Sequence, residues 1–280
     1  SILAWEKAIG ALEFSKNALT EHRRKIQSLI EAQKAAEVDL LRTDVRLATV
    51  EQDLVSARNT LTVQRHVLVT AMGLPSSGSP LALVGTLDFQ EQHRGVAATV
   101  AQAMAQRPDY AAARKEVEAQ ARRVDIARAE RVPVLGAFGS YGGRSNTRDE
   151  VDVGSAGVVI SVPLFEGGLI AAKVSEQRAR LAADQERLRQ LELQIRLEVT
   201  TALSDLDSSA ERVRATETVI TQARESLRIE RQKYDLGKGS ITDVLDAQSA
   251  LLEAETNYYR ALADHAVAKA RLALATGQQP

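Results

Sequence analysis

Two aspartates three residues apart, in Thr242-Asp243-Val244-Leu245-Asp246, form the most suggestive chemical pair in this 280-residue sequence. Positions three apart on a helix share a face, so both carboxylates would project from one side. Neighbouring carboxylates raise each other's pKa and attract cations. An aspartate near a helix start also serves as a cap or a dipole partner, and for Asp243 alone capping is the simpler expectation. Other chemistry has little support. His22, His66, His93 and His265 are scattered, and no pair has metal-ligand spacing on one helix. There is no cysteine, hence no thiol nucleophile and no disulfide. Gly136, Gly139, Gly142 and Gly143 are not followed at once by a helix, as a phosphate loop would be. The pattern predicts no catalytic site, no cofactor and no metal. Lys plus Arg is 36 against 37 for Asp plus Glu, a net charge of −1 that lacks the basic excess of a nucleic-acid binder.

The elements that would position these residues are mostly long helices. Alanine, leucine, glutamate, glutamine and arginine dominate long stretches, and only six prolines interrupt them. Residues 1–28 predict a charge-rich helix, already in pattern at Ser1-Ile2-Leu3-Ala4-Trp5. We take that as a start inside an element, with no signal peptide in view. From Val38, Leu40, Leu47, Leu54, Leu61 and Leu68 recur every seven residues, with Val50 and Ala57 in coiled-coil step. Gly73-Leu74-Pro75 stops that helix, and Ser76-Ser77-Gly78-Ser79-Pro80 is linker-like. A short helix over 95–106 is followed by another, opened by Arg107-Pro108-Asp109 and carried by alanines and valines to about Arg131.

The character changes near Val132. Residues 134–142 are rich in Gly, Phe and Tyr, and 156–162 alternate. Ala156, Val158, Ile160 and Val162 share one face; Gly157, Val159 and Ser161 share the other. With a polar turn at 143–150, this predicts a β-hairpin with strands of roughly ten residues, enough for a tilted strand to cross a bilayer. A soluble hairpin fits the segment equally well. After Gly167-Gly168 comes a helix of about 64 residues, roughly 95 Å long. Its apolar ladder runs Ile170, Val174, Leu181, Leu188, Ile195. After a four-residue stutter it resumes at Val199, Leu206, Val213, Ile220, Leu227 and Tyr234. Residues 235–240 turn. A last helix, from Thr242 to about Ala275, keeps Leu245, Leu252, Tyr259, Ala266 and Ala273 in step. Tyr234, on its ladder, also fits a core position, and Tyr258 and Tyr259 read as packing residues. No run of 18 apolar residues marks a transmembrane helix.

The chain also repeats itself. A displacement of 204 residues puts Lys34, Asp39, Leu41, Leu47, Glu51, Ala57, Leu68, Ala71 and Gly73 on Lys238, Asp243, Leu245, Leu251, Glu255, Ala261, Leu272, Ala275 and Gly277. The duplicated unit would be helix, hairpin, long helix, turn, helix. The second copy is complete; the first lacks its leading helix and hairpin.

Three stretches together resemble the outer-membrane efflux protein family, the TolC-like export channels. They are Arg107-Pro108-Asp109-Tyr110 continuing to Arg131-Val132-Pro133-Val134-Leu135; Val162-Pro163-Leu164-Phe165-Glu166-Gly167-Gly168; and Tyr234-Asp235-Leu236-Gly237 with Val244-Leu245-Asp246-Ala247-Gln248 and Leu251-Leu252-Glu253-Ala254-Glu255. The resemblance covers nearly the whole chain. It implies a mainly α fold, with long antiparallel coiled-coil helices forming an α-barrel and a β-hairpin contributed to a trimeric outer-membrane β-barrel. It further implies a passive duct for efflux or type I secretion, set in outer-membrane lipid and extending into the periplasm, with a periplasmic adaptor and an inner-membrane transporter as partners. The implied division is 1–75 as the incomplete first-repeat helix pair, 76–106 as linker and short equatorial helix, 107–131 as ascending helix, 132–163 as membrane hairpin and 164–280 as the second helix pair. Members normally give four strands to a shared barrel of twelve. This chain has two, and six from three copies fall below the usual eight, so we expect a fragment or a short member that obtains strands elsewhere.

The resemblance also places the turn from Tyr234 to Asp246 at the periplasmic tip, where the duct closes. Asp243 and Asp246 match the aperture aspartates, which threefold symmetry would turn into a ring of six carboxylates favouring cations and open to plugging by divalent metal. Asp39 matches the first-repeat aspartate and, with Tyr234, is a candidate for holding the tip shut. Gly237, Lys238 and Gly239 form the tip turn. Gly239 stands where the familiar pattern has a basic residue, with Lys238 as a substitute. Opening would untwist the pair 173–232 and 242–275 against its neighbours. The competing expectation is a poreless periplasmic coiled-coil adaptor or structural protein. The hairpin over 132–163 discriminates, because adaptors usually carry soluble β domains.

Overall fold

The computed structural model describes residues 2–74, 83, 85–91, 94–146 and 149–278. The expected linker at 76–80, Pro75, His93 and the centre of the polar turn at 147–148 lie outside the described residues. The described elements are α1 (Ile2–Glu31), α2 (Glu37–Ala71), α3 (Val96–Gln106), α4 (Pro108–Ala129), β1 (Val134–Asn146), β2 (Asp149–Ser161), α5 (Leu169–Asp235) and α6 (Ile241–Ala275). The fold is mainly α with one antiparallel hairpin, β1 against β2. Among the described residues, no helix is long and apolar enough to cross a membrane.

Contacts divide the chain into two compact units, and α5 has one half in each. The first holds Ser1–Thr99 and Val199–Ala275. Here α1 packs on α2 and on α6. The core joins Leu19 and Ile26 of α1, Val50 and Leu54 of α2, Leu227 of α5, and Ile241, Val244 and Leu251 of α6. Leu40, Leu47, Leu54, Leu61 and Leu68 are all buried or half-buried, as the seven-residue spacing requires. Val199, Leu206, Val213 and Leu227 are buried too. The ladder of α6 departs from expectation. Ala266 is exposed, and the buried line there runs through Ala247, Ala254, Ala261, Ala268 and Ala275. A straight helix drifts by about 20° per heptad, which carries the Leu245 ladder off one side of the buried face while the alanine ladder stays within it. Lys16–Glu51 at 2.9 Å, Arg58–Glu13 at 2.6 Å and Arg65–Glu6 at 2.7 Å clip α1 to α2. These pairs are part-exposed, so each contributes at most about 1 kcal/mol.

The second unit spans Val100–Glu198 with Thr276–Gln278. Val124 and Ala127 of α4 and Val174 and Ile195 of α5 are buried within it. Gln120 is buried as well, because its amide donates to the Gln177 backbone carbonyl at 3.2 Å and to Gln177 Oε1 at 2.9 Å. A buried amide is tolerable only when paired in this way. At the start of α4, Pro108 occupies the first turn, where a missing N–H costs nothing.

The hairpin strands have 13 residues each rather than about ten. Pairing continues from Val134↔Ser161 through Asn146↔Asp149, into the segment expected as a polar turn. Backbone ladders do not depend on side-chain polarity, so a polar run can stay paired. One face carries Leu135, Ala137 and Tyr141 with Ala156, Val158 and Ile160. The other carries Val134, Phe138, Val153 and Val159 together with Ser140 and Ser155, whose hydroxyls meet at 2.8 Å. Leu135, Val158 and Ile160 are all exposed, and among the described residues no strand pairs with either edge of the two-stranded sheet.

The internal repeat has a structural counterpart. α2 and α6 are both 35 residues long, and their bounds differ by the displacement found in the sequence. The turns that precede them share a hydrogen-bond pattern. The amides of Gln33 and Lys34 donate to the carbonyls of Ile30 and Leu29, and those of Gly237 and Lys238 to Tyr234 and Lys233. These are the paired closing bonds of a left-handed helix stop.

Candidate functional site

The turn from α5 to α6 is built by its own backbone. Gly237 has φ 69°, a left-handed conformation that glycine adopts without penalty. α6 then begins with a reciprocal cap. Ser240 Oγ accepts the Thr242 amide at 3.1 Å, and Asp243 Oδ2 accepts the Ser240 amide at 3.3 Å. Asp243 therefore caps the helix while remaining exposed, and Asp246 is exposed one turn further on. Lys238 is exposed. Gly239 is tightly enclosed: a Cβ there would meet Lys233 Cβ at 3.0 Å and the Tyr234 amide nitrogen at 3.1 Å. A side chain there would require Lys233 and Tyr234 to shift by a few tenths of an ångström.

Asp39 of α2 lies within electrostatic range of Tyr234 of α5. Both are half-buried. The Tyr234 hydroxyl is pushed above its ordinary pKa by burial first, and then by the Asp39 and Asp235 carboxylates. Asp39 holds the same place in α2 that Asp243 holds in α6, yet α2 starts at Ala36 without a side-chain cap.

Several partners in this region were not visible in the sequence. Lys25 of α1 reaches Asp235 of α5 at 2.5 Å, and Arg42 of α2 donates to Thr242 Oγ1 of α6 at 2.9 Å. Arg231 donates to Gln248 Oε1 at 2.5 Å, and the Gln248 amide donates to the buried Ser15 hydroxyl at 3.3 Å. His22 of α1 lies against Tyr234. These residues lie up to 233 positions apart in the chain, and spacing within one helix carries no signal of such partners. The only local hint is a glutamine at position 248 within an otherwise apolar stripe.

The remaining histidines do not converge. His265 is buried, with Nδ1 at 3.0 Å from Ser209 Oγ and its ring edge-on to Phe89. Ser209 Oγ itself donates to the Leu206 carbonyl at 2.8 Å, so the hydroxyl accepts from the imidazole and has no proton to give it. His66 is exposed. Tyr258 and Tyr259 pack on each other, ring centroids 5.8 Å apart, and against the core. Among the described residues, no group of His, Asp and Glu could hold a metal ion.

A sequence model described as "Outer membrane efflux protein" matches residues 99–278. The chain is 27% identical over 270 residues to the alkaline protease secretion protein AprF of Pseudomonas aeruginosa, covering 94% of this chain and 56% of that relative. It is 24% identical over 279 residues to the outer membrane protein TolC of Vibrio cholerae, covering 95% and 63%. The chain thus spans little more than half the length of these curated relatives. Its fold matches the crystal structure of the outer membrane protein VceC from Vibrio cholerae with a TM-score of 0.76 at 19% identity, covering 99% of this chain and 67% of that one. A family match over residues 99–278, with the hairpin and both long helices inside it, assigns the chain to the outer membrane efflux protein family.

Proposed function

We propose that this chain forms part of a homotrimeric outer-membrane duct that passively conducts substrates from the periplasm to the exterior. The observation that carries this reading is the hairpin. Two 13-residue strands extend about 43 Å, which suffices to cross a bilayer core of about 30 Å at a tilt. Both faces expose apolar side chains, Leu135, Val158 and Ile160 on one and Phe138, Val153 and Val159 beside the serine pair on the other, and among the described residues neither edge is paired. A lone two-stranded hairpin is marginal in water, whereas neighbouring strands and lipid would satisfy both its edges and its face. These exposed apolar side chains disfavour the poreless adaptor.

The duct itself performs no catalysis. Energy comes from an inner-membrane transporter, and a periplasmic adaptor engages the helical end, as in tripartite efflux or type I secretion. The names of the relatives, a protease secretion protein and TolC, support this reading. Residues 1–75 and 164–280 supply the helix pairs of the tube, 107–131 rises to the membrane hairpin at 132–163, and 76–106 forms the equatorial linker and helix. The turn at 234–246 is the periplasmic aperture. Asp243 and Asp246, exposed on one face, line it as carboxylates that favour cations. Asp39 and Tyr234, which interact electrostatically, help to hold it closed with Gly237, Lys238 and Gly239 as its turn. Opening untwists α5 and α6 against their neighbours.

Single-channel conductance of the complete gene product in planar bilayers tests this reading, with Asp243→Asn and Asp246→Asn beside the wild type. The asparagine side-chain oxygen can still accept the Ser240 amide, so Asp243→Asn removes charge while keeping the reciprocal cap. Cation-selective conductance that rises, or loses metal block, in the variants supports the duct and its aperture. Unchanged conductance removes the aperture assignment, and a folded trimer that does not conduct overturns the duct.

A further inference from the structure

His22 occupies a position at the α1–α5 contact that the proposed conduction role does not explain. Its ring centroid lies 5.4 Å from that of Tyr234, with the planes inclined at 56°. Its Nε2 is buried and has no hydrogen-bond partner. The surrounding charges are held in place by other groups. Lys25, on the same helix, is paired with Asp235 at 2.5 Å. Arg231 of α5 donates to Gln248 Oε1 at 2.5 Å, and Gln248 is tied to Ser15. α2 contributes Asp39, whose carboxylate acts on Tyr234, and α6 contributes the uncharged Gln248. Neither cation can swing away without giving up a partner that ties one helix to another.

We propose that His22 is a proton-sensitive joint between α1 and α5: a proton on Nε2 sets a third cation beside Arg231 and Lys25, and the two helices loosen where α5 ends. The electrostatics agree in sign. Burial first, then Arg231 and Lys25, hold the imidazole below its ordinary value of 6.5, with Asp235 opposing them. A base whose pKa is lowered by folding contributes no penalty well above that ordinary value. The penalty grows as pH falls through it and is complete below the lowered value. Neutral periplasm-like conditions thus keep the joint closed, and mild acid opens it. The consequence for conduction rests on reading this turn as the aperture; the loosening itself does not.

Hydrogen exchange of the full-length protein in lipid nanodiscs tests the joint at about pH 7.5 and about pH 5.5, either side of the imidazole range. Rates are corrected for intrinsic chemistry. In the wild type, segments 18–31 and 225–238 should exchange about two- to fivefold faster at the lower pH, the scale of a part-exposed charge contact. In His22→Gln the two conditions should agree, and in Arg231→Gln, which removes one repelling cation, the response should shrink. A wild type without the response, or a His22→Gln protein that keeps it, overturns the proposal. Single-channel recording at the same two pH values separates the two ideas. Faster exchange with higher open probability supports both, whereas faster exchange with unchanged conductance keeps the joint and counts against the aperture.

Discussion

Gln33 and Gly237 occupy the same position in the two copies of the repeat, and both are left-handed, with φ of 59° and 69°. Glycine enters this region freely, while a residue with a Cβ pays roughly 1–2 kcal/mol. Glutamine at position 33 is therefore strained where glycine at 237 is not. Gly237→Ala should weaken the second turn by about 1 kcal/mol. Gln33→Gly should strengthen the first by less, because glycine also loses more entropy on folding. Amide exchange at Gln33, Lys34, Gly237 and Lys238 reads each turn separately. Equal exchange in both variants and the wild type would show that the backbone conformation is not limiting.

Arg107 gathers the second unit at the start of α4. Its guanidinium donates to Asp109 Oδ2 at 2.7 Å and to Glu198 Oε2 at 2.5 Å. Close by, Gly277 has φ 75° and would place a Cβ 3.0 Å from the Arg107 backbone. Asp109 and Glu198 are part-exposed, so Arg107→Lys, which loses the forked geometry, should cost about 1 kcal/mol, and Gly277→Ala about 1–3 kcal/mol from clash and strain. Arg107 holds Asp109 and Glu198 below their ordinary values of 3.8 and 4.5. Their contribution is complete above those values and is lost as pH falls through the lowered ones. Acid unfolding followed by circular dichroism should show a steeper loss below about pH 4 in the wild type than in Arg107→Lys.

Ser155 and Ala156 are adjacent in β2 and lie on opposite faces of the hairpin. If the Ala156 face meets lipid, Ala156→Arg should destabilise the membrane-inserted protein by about 2–4 kcal/mol near the bilayer midplane. Ser155→Arg, towards the interior, should cost much less and alter ion selectivity. Urea unfolding in lipid vesicles compares the two, and equal costs would reject the assignment of faces.

Much of the fold could be read from local spacing. Seven-residue ladders located α2 and α5, glycine stops ended α2 and α6, and alternation marked the hairpin, because each reflects backbone geometry within a few turns. The aspartates of the candidate aperture came from motif resemblance, and the reciprocal cap at Ser240 and Asp243 shows what their immediate surroundings add. The outward turn of Ala266 was not legible, since helix drift depends on how neighbouring helices let it curve.

The sequence by itself determined the elements, their order, the duplication and the family, since these rest on periodicities and motifs contiguous in the chain. Only the tertiary structure decided the pairings Lys25–Asp235, Arg42–Thr242 and Arg231–Gln248, the burial of Gln120 and His265, and the enclosure of Gly239. The side-chain pairings depend on which helix faces meet, across as many as 210 residues, and the enclosure of Gly239 depends on how tightly the turn closes on the end of α5. A charged or polar side chain looks the same in sequence whether it faces water or a partner, and packing alone makes the distinction.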